Sequence, residues 1–395
     1  MRLTLDSILS LVPINVHRDK KNYIVEDNAS GDFYEMPVVC IEAIKMINNG
    51  LKLEEIEKFL IEKYPNEEID LINFAEQLLE LKLVAKINGA NIDSEIKKEK
   101  NISLGFLWIS PKIGNFFFNK YSYPLYIVLF VLNILLFIMN PTLFPQHEDI
   151  FVFDVMVLNV FLWMTFTFLL VLIHEFGHIL AMRAHNLPTK VNVGHRLFFV
   201  VLETDMSSVW KLAPKDRNIL FLAGICFDTV LLFMALIYLF MFPNGPELVI
   251  GLMSLAVFDI VLRIIFQCCF YMKTDLYFVF ENMSGCYNLM ENALQTILKR
   301  LPFLKIKMQE DVVFSGERKT IFIYSIFYLL GIAVTIALYS IYYIPEVSHA
   351  GKQLLPGFVK GPTSLAFWDA VVFSLQVSIF LLLLLYSWRK KYTQR

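Results

Sequence analysis

The sequence predicts a mainly α, multispan helical membrane protein of about six spans, preceded by a small N-terminal α+β domain. Three observations carry this. Hydrophobic residues make up 56% of the chain, with 36 Phe and a mean hydropathy of +0.55, too apolar for an ordinary soluble domain. Several uninterrupted apolar runs approach the ~20 residues that cross a bilayer. Charge is also unevenly shared. Residues 1–100 hold 13 Lys and Arg against 19 Asp and Glu, a net of −6, and the rest hold 22 against 18, a net of +4. An acidic soluble piece therefore precedes a membrane part with basic loops. The start, Met1 to Asp6, lacks a long apolar segment, so no secretory signal is read and residues 1–100 are expected in the cytoplasm. Five cysteines form no C-x-x-C pair and suggest no disulfide framework.

Residues 1–35 mix β-type runs such as Tyr23-Ile24-Val25 with a turn signal at Asn28-Ala29-Ser30-Gly31-Asp32, which predicts a hairpin. Pro37 opens a helix to Met46, which Asn48-Asn49-Gly50 ends. Leu53, Ile56, Phe59 and Leu60 stripe a second helix to about Tyr64. Asp70 heads a third, with Leu71, Phe74, Leu78 and Leu81 at helical spacing, and Leu83 to Ile87 reads as a closing strand. A hairpin, three helices and a strand describe a winged helix over 1–92. Its acidity argues against nucleic acid as a partner, because phosphate contacts need positive charge. A charged linker and interfacial segment follows at 93–120, with Asp93 to Lys100 mostly charged and Phe116-Phe117-Phe118 amphipathic.

Six spans are read at 123–140, 155–182, 218–242, 247–271, 320–344 and 365–388. The loops orient them. The first and third, Pro141 to Ile150 and Pro243 to Pro246, hold no Lys or Arg. The second holds Arg183, Lys190, Arg196, Lys211, Lys215 and Arg217, and the fourth is rich in both, including Lys273, Lys305 and Lys307. Even loops are basic, so both termini are expected in the cytoplasm of a multi-pass cell-membrane protein. The membrane-embedded core is taken as 121–310, and 311–395 as a two-span hairpin with a cytoplasmic tail.

The second span carries His174-Glu175-Phe176-Gly177-His178. Residues four apart share a helix face, so both imidazoles can reach one metal ion, and Glu175 stands where a carboxylate can take a proton from water at the open position. The bland reading is two histidines satisfied by neighbours in a bundle. A His-Glu-His triplet in a hydrophobic span is costly unless used, which favours a site. Taking Arg183 as the first cytoplasmic charge, His178 lies about 7.5 Å and His174 about 13.5 Å inside it. A catalytic zinc usually takes three protein ligands, so a third is sought among the acids. Asp259 lies about 21 Å up its helix from Lys273, too deep, and Arg263 four residues on accounts for it as an ion pair. Asp228, about 16.5 Å from Arg217, matches the depth of His174. Asp275 lies at the cytoplasmic end of the fourth span. Depth alone makes Asp275 slightly shallow, though Lys273 can snorkel, so both stay open. His185 and His195 are read as solvated or structural.

His174-Glu175-Phe176-Gly177-His178 near the cytoplasmic end of one span, with an aspartate at the end of a later one, resembles the site-2 protease family of intramembrane zinc metalloproteases. The resemblance implies one Zn2+ per chain bound by His174, His178 and Asp275, with Glu175 as general base and Asp228 as the rival third ligand. That family's usual L-D-G-type motif after an Asn-Pro stretch is absent. Thr274-Asp275-Leu276-Tyr277, followed by Gly285-Cys286-Tyr287-Asn288-Leu289, is instead similar to a branch of peptide zinc metalloproteases found with peptide-maturation clusters. The element order of residues 1–92 and the Gly31-Asp32-Phe33-Tyr34 turn resemble PqqD-like domains, which hold a leader peptide by β-augmentation. Apolar alternation from Val191 to Leu202 fits a hairpin at the membrane face, which in the family helps hold substrate extended.

The implied function is a zinc-dependent endopeptidase of the bilayer, cutting a small ribosomally made precursor peptide or its leader during maturation or release. Two alternatives keep the architecture: a protease cutting a membrane-tethered regulator, and a non-catalytic membrane peptide-binding or immunity protein. The intact Glu175 speaks against the second, since a pure binding site gains nothing from that carboxylate.

Overall fold

The computed structural model describes residues 3–92, 105–153, 155–196, 199–300, 316–340 and 344–393. The charged linker at 93–100, Leu197 of the expected hairpin, and Lys305 and Lys307 of the fourth loop lie outside the described residues. The chain forms two compact units, Met1–Leu107 with Met206–Arg217, and Trp108–Asp205 with Asn218–Arg395.

The first unit opens with β1 (Leu9–Leu11), β2 (Ile14–Asp19), β3 (Asn22–Asp27) and β4 (Phe33–Met36). The expected hairpin is a meander, β2-β3-β4, while β1 pairs elsewhere. Pro13 explains the break, because it has no N–H to give a ladder and separates β1 from β2. The β3–β4 turn is organised by Asp27, whose carboxylate accepts from Ala29 N at 2.9 Å and Ser30 Oγ at 2.8 Å. Gly31 takes φ +70° there, the left-handed backbone that glycine adopts without strain. Helices α1 (Val38–Asn48), α2 (Leu53–Lys63) and α3 (Leu71–Glu80) follow. Asp70 caps α3 by accepting from Asn73 N at 2.9 Å. Their apolar stripes (Ile44, Ile47, Ile56, Leu60, Ala75, Leu78) close on one core with Leu9 and Val25. Strands β5 (Val84–Ile87) and β6 (Ala90–Asn91) form a wing through Asn88-Gly89, both at positive φ as a tight hairpin turn requires, and β5 pairs with β1.

Residues 206–217 belong to this unit. Arg217 is fully buried, paired with Asp19, and its guanidinium lies 4.7 Å over the Trp210 ring. His17 Nε2 meets Trp210 O at 2.9 Å, and Lys211 pairs with Glu26 at 2.6 Å.

The second unit begins with α4 (Pro111–Phe117), capped by Ser110, and α5 (Ser122–Met139). The motif helix α6 (Met156–Ala184) comes next, then the antiparallel hairpin β7 (Val191–Arg196) and β8 (Phe199–Thr204). After α7 (Pro214–Phe221), of which only residues 218–221 fall in this unit, come α8 (Ala223–Met241), α9 (Glu247–Gln267), α10 (Asp275–Ser284) and α11 (Leu289–Arg300). The chain ends with α12 (Arg318–Leu338), α13 (Ile344–Leu354) and α14 (Leu365–Thr393). Among the described residues six helices are long and apolar enough to cross a membrane: α5, α6, α8, α9, α12 and α14. The third starts at Ala223, not 218, because Pro214 opens the separate short helix α7.

Helices α6, α8 and α9 share a core of Leu170, Leu232, Leu236, Ala256, Val257 and Ile260. Gly114 lets α4 lie on the end of α6, since a Cβ there would stand 2.4 Å from Ala184 N. Arg183, the expected membrane-edge charge, is buried, and it donates to Ile109 O and Leu187 O at 3.0 Å each. The last span reaches α6 at its opposite end, where Asp369 accepts from Val157 N at 2.8 Å and satisfies a free helix-start amide.

Candidate metal centre

Helix spacing puts His174 and His178 on one face of α6, with ring centroids 5.1 Å apart. Both turn Nε2 to the same atom. Asp275 Oδ2 lies 3.1 Å from His174 Nε2 and 3.4 Å from His178 Nε2. The opposite nitrogens are held from behind. His178 Nδ1 is 2.9 Å from Leu220 O, and His174 Nδ1 is 2.8 Å from Asp228 Oδ2. A carbonyl can only accept, so His178 carries its proton on Nδ1 and keeps the Nε2 lone pair free. All three side chains are buried or nearly so.

Asp275 opens α10, and its approach is built by the chain just before it. Lys273 takes the left-handed conformation (φ 52°), turning the chain into α10, and Thr274 caps the new helix. Gln267, the last residue of α9, clasps the aspartate twice: its Oε1 accepts from Asp275 N and its Nε2 donates to Oδ2, both at 2.9 Å. Thr274 Oγ1 closes the turn by donating to Gln267 O at 2.7 Å.

Ligand bonds of about 2.0–2.2 Å at tetrahedral angles separate ligand atoms by about 3.4 Å. The two Nε2–Oδ2 distances match that edge length, and His174, His178 and Asp275 can each offer one atom within 4.8 Å of the others. The donor set, two imidazoles and one carboxylate, fits a small divalent ion and leaves a coordination position over.

Glu175 is buried on the same helix. Its Oε2 accepts from Thr204 N at 2.8 Å and from Thr204 Oγ1 at 2.7 Å, so the last residue of β8 fixes this carboxylate. Gly177 of the motif serves packing, because a Cβ there would lie 2.7 Å from Ala223 O on α8. Gly224 serves the site itself, since a Cβ there would lie 2.3 Å from His174 Nε2.

The structure thus brings together His174, His178 and Asp275, with Glu175 beside them. Asp228 is near too, but on the far side of the His174 ring. Asp259 stands away from the cluster, paired with Arg263 as its i,i+4 spacing predicts and bonded by Thr167 Oγ1 at 2.6 Å. His185 follows the last residue of α6 and His195 lies in β7. Gln267, Thr204 and Gly224 went unread in the sequence. Only Gly224 carries a signal there, as half of the small pair Ala223-Gly224 in a span of large residues. No protein-family model, curated protein or solved structure matches the chain.

Proposed function

We propose that the protein is an intramembrane zinc endopeptidase of the site-2 protease kind, cutting a small ribosomally made precursor peptide or its leader. The observation that carries this is the convergence of two Nε2 atoms on Asp275 Oδ2, with a buried glutamate held between the two histidines in sequence. Zinc held by His174, His178 and Asp275 would polarise a peptide carbonyl and acidify a water.

The chain's own groups do the rest. Glu175 takes a proton from the attacking water as its oxygen joins the carbonyl carbon. It returns that proton to the amide nitrogen as the C–N bond breaks. Thr204 keeps the carboxylate from swinging away during both transfers. Gln267 keeps Asp275 turned to the two imidazoles. Peptide bonds in a membrane helix are internally hydrogen-bonded, so a substrate must be extended before it is cut. The β7–β8 hairpin offers a strand to lay it on, and β8 ends at the residue that holds Glu175. In this reading the N-terminal unit is a PqqD-like module that recruits the leader, the protein is multi-pass in the cell membrane, and both termini are cytoplasmic.

The test is zinc per chain and precursor cleavage on detergent-purified protein. Wild type should hold about one zinc. Glu175→Gln should keep the zinc and lose cleavage, and Asp275→Ala should lose both. A wild type that takes up no zinc after reloading at neutral pH, or a Glu175→Gln variant that still cuts, would sink the reading.

A further inference from the structure

Behind His174 runs a buried chain of polar groups that joins three spanning helices. Asp228 on α8 is 1% exposed, and its oxygens have separate partners. Oδ2 faces His174 Nδ1 at 2.8 Å, and Oδ1 accepts from Arg263 Nη1 at 3.0 Å. Arg263 on α9 also donates to Leu170 O of α6 at 3.2 Å and pairs with Asp259, which Thr167 of α6 bonds in turn. Thr167, Leu170 and His174 follow one another along one face of α6.

The count of charges is informative. Asp259 alone would balance Arg263. Asp228 adds a second carboxylate to one guanidinium, and a surplus buried charge inside a span is costly unless a cation lies near. The open side of that carboxylate is the imidazole whose other nitrogen faces the candidate centre.

We propose that Asp228 is a positioning residue that selects the Nδ1–H tautomer of His174 and thereby frees Nε2 to bind metal; this rests on the zinc reading above. The geometry explains why selection is needed. His174 Nε2 lies 3.1 Å from the Asp275 carboxylate, so the other tautomer would donate its Nε2–H to Asp275 and fill the site with a hydrogen bond. Asp228 offers a competing acceptor at the opposite nitrogen. Arg263 has only donors, so it commits Oδ1 to itself and leaves Oδ2, an acceptor, for the ring. Leu220 O does the same for His178 with a carbonyl. A carboxylate behind a metal-binding imidazole also raises its strength as a ligand.

The experiment uses the full chain in detergent, stripped of metal, with Co2+ as the probe and its visible absorption as the readout. Asp228→Asn should lower Co2+ affinity about 10- to 100-fold. The amide must give its oxygen to Arg263, which turns its NH2 to Nδ1 and selects the wrong tautomer. Unchanged elution and unfolding of the stripped variant would separate this from misfolding. Imidazole 15N spectra of the stripped wild type, assigned with His174→Ala, need no folded Asp228 variant, and should place the His174 proton on Nδ1. Wild-type affinity within about twofold in Asp228→Asn, or a proton on Nε2 in the wild type, would overturn the proposal alone. A wild type that binds neither Co2+ nor Zn2+ would overturn the centre and this proposal together.

Discussion

Gly224 of α8 lies directly against the imidazole of His174, so closely that a Cβ would stand 2.3 Å from Nε2 and 2.5 Å from Cε1. The neighbour is a ring fixed at its far nitrogen by Asp228, so it cannot give way without breaking that bond. Gly224→Ala should therefore weaken metal binding more than about tenfold, the scale of lost ligand orientation, while leaving the six spans in place. Metal affinity against far-ultraviolet circular dichroism checks it. Full affinity in a folded variant would show that the ring has room to move.

Gln267 spends both ends of its amide on one residue, Asp275 N and Asp275 Oδ2. Gln267→Leu keeps the bulk and removes both bonds, freeing the carboxylate to rotate away from the histidines. The expected result is a loss of about tenfold in metal affinity, as for other groups that orient a ligand. A larger effect from Gln267→Leu than from Asp275→Ala would mean that Gln267 acts on something besides this aspartate.

These two residues also mark where reading the sequence stops. The length of its apolar run located α6, and the spacing of His174 and His178 placed both on one face. Asp70 announced the start of α3 by its side chain. Depth along a helix was legible in part: rise per residue matches Asp228 to His174 and the two do touch, but Asp275, slightly shallow by the same count, reaches both imidazoles. Azimuth was not legible, because hydropathy is blind to which face of α8 carries Asp228, so the aspartate that faces both Nε2 atoms could not be told from the one behind His174. Charge is a less direct guide: Arg183 reads as the point where α6 meets water, and its guanidinium is buried on two carbonyls. A single charge marks a membrane edge only if it is solvated. Gln267 and Thr204 act through contacts between elements far apart in the chain, and neither has a local pattern.

Glu281 of α10, outside the spanning helices, is a buried carboxyl with a pH consequence. Burial pushes it up from 4.5 to about 7, helped by Glu291 and opposed by the Tyr277 hydroxyl, 2.7 Å away, and by Lys273. Between those two values the folded chain holds a proton that the unfolded chain has lost. Stability should therefore fall as pH rises from about 4.5 to about 7, by about 3 kcal/mol in all if one group acts alone. Thermal unfolding of the metal-stripped protein across this range should show the slope, and Glu281→Gln should flatten it. A slope unchanged in Glu281→Gln would assign it to another group.

Asp19 and Arg217 form a buried ion pair in the first unit, far apart in sequence, with Arg217 fully enclosed and Asp19 nearly so. Arg217 also donates to Leu212 O at 2.9 Å and stacks on Trp210. Removing one partner strips a buried charge of this counter-ion. Asp19→Ala should thus cost the unit about 3–5 kcal/mol, more than the pair itself is worth. The double variant Asp19→Ala/Arg217→Met should recover most of that loss, because an apolar side chain needs no counter-ion. Hydrogen exchange at the β2 and β3 amides reads this unit without requiring the whole chain to unfold as one. Protection that stays low in the double variant would mean that the guanidinium's bonds to Leu212 and its stacking on Trp210 hold residues 206–217 in the unit, and that charge balance is secondary.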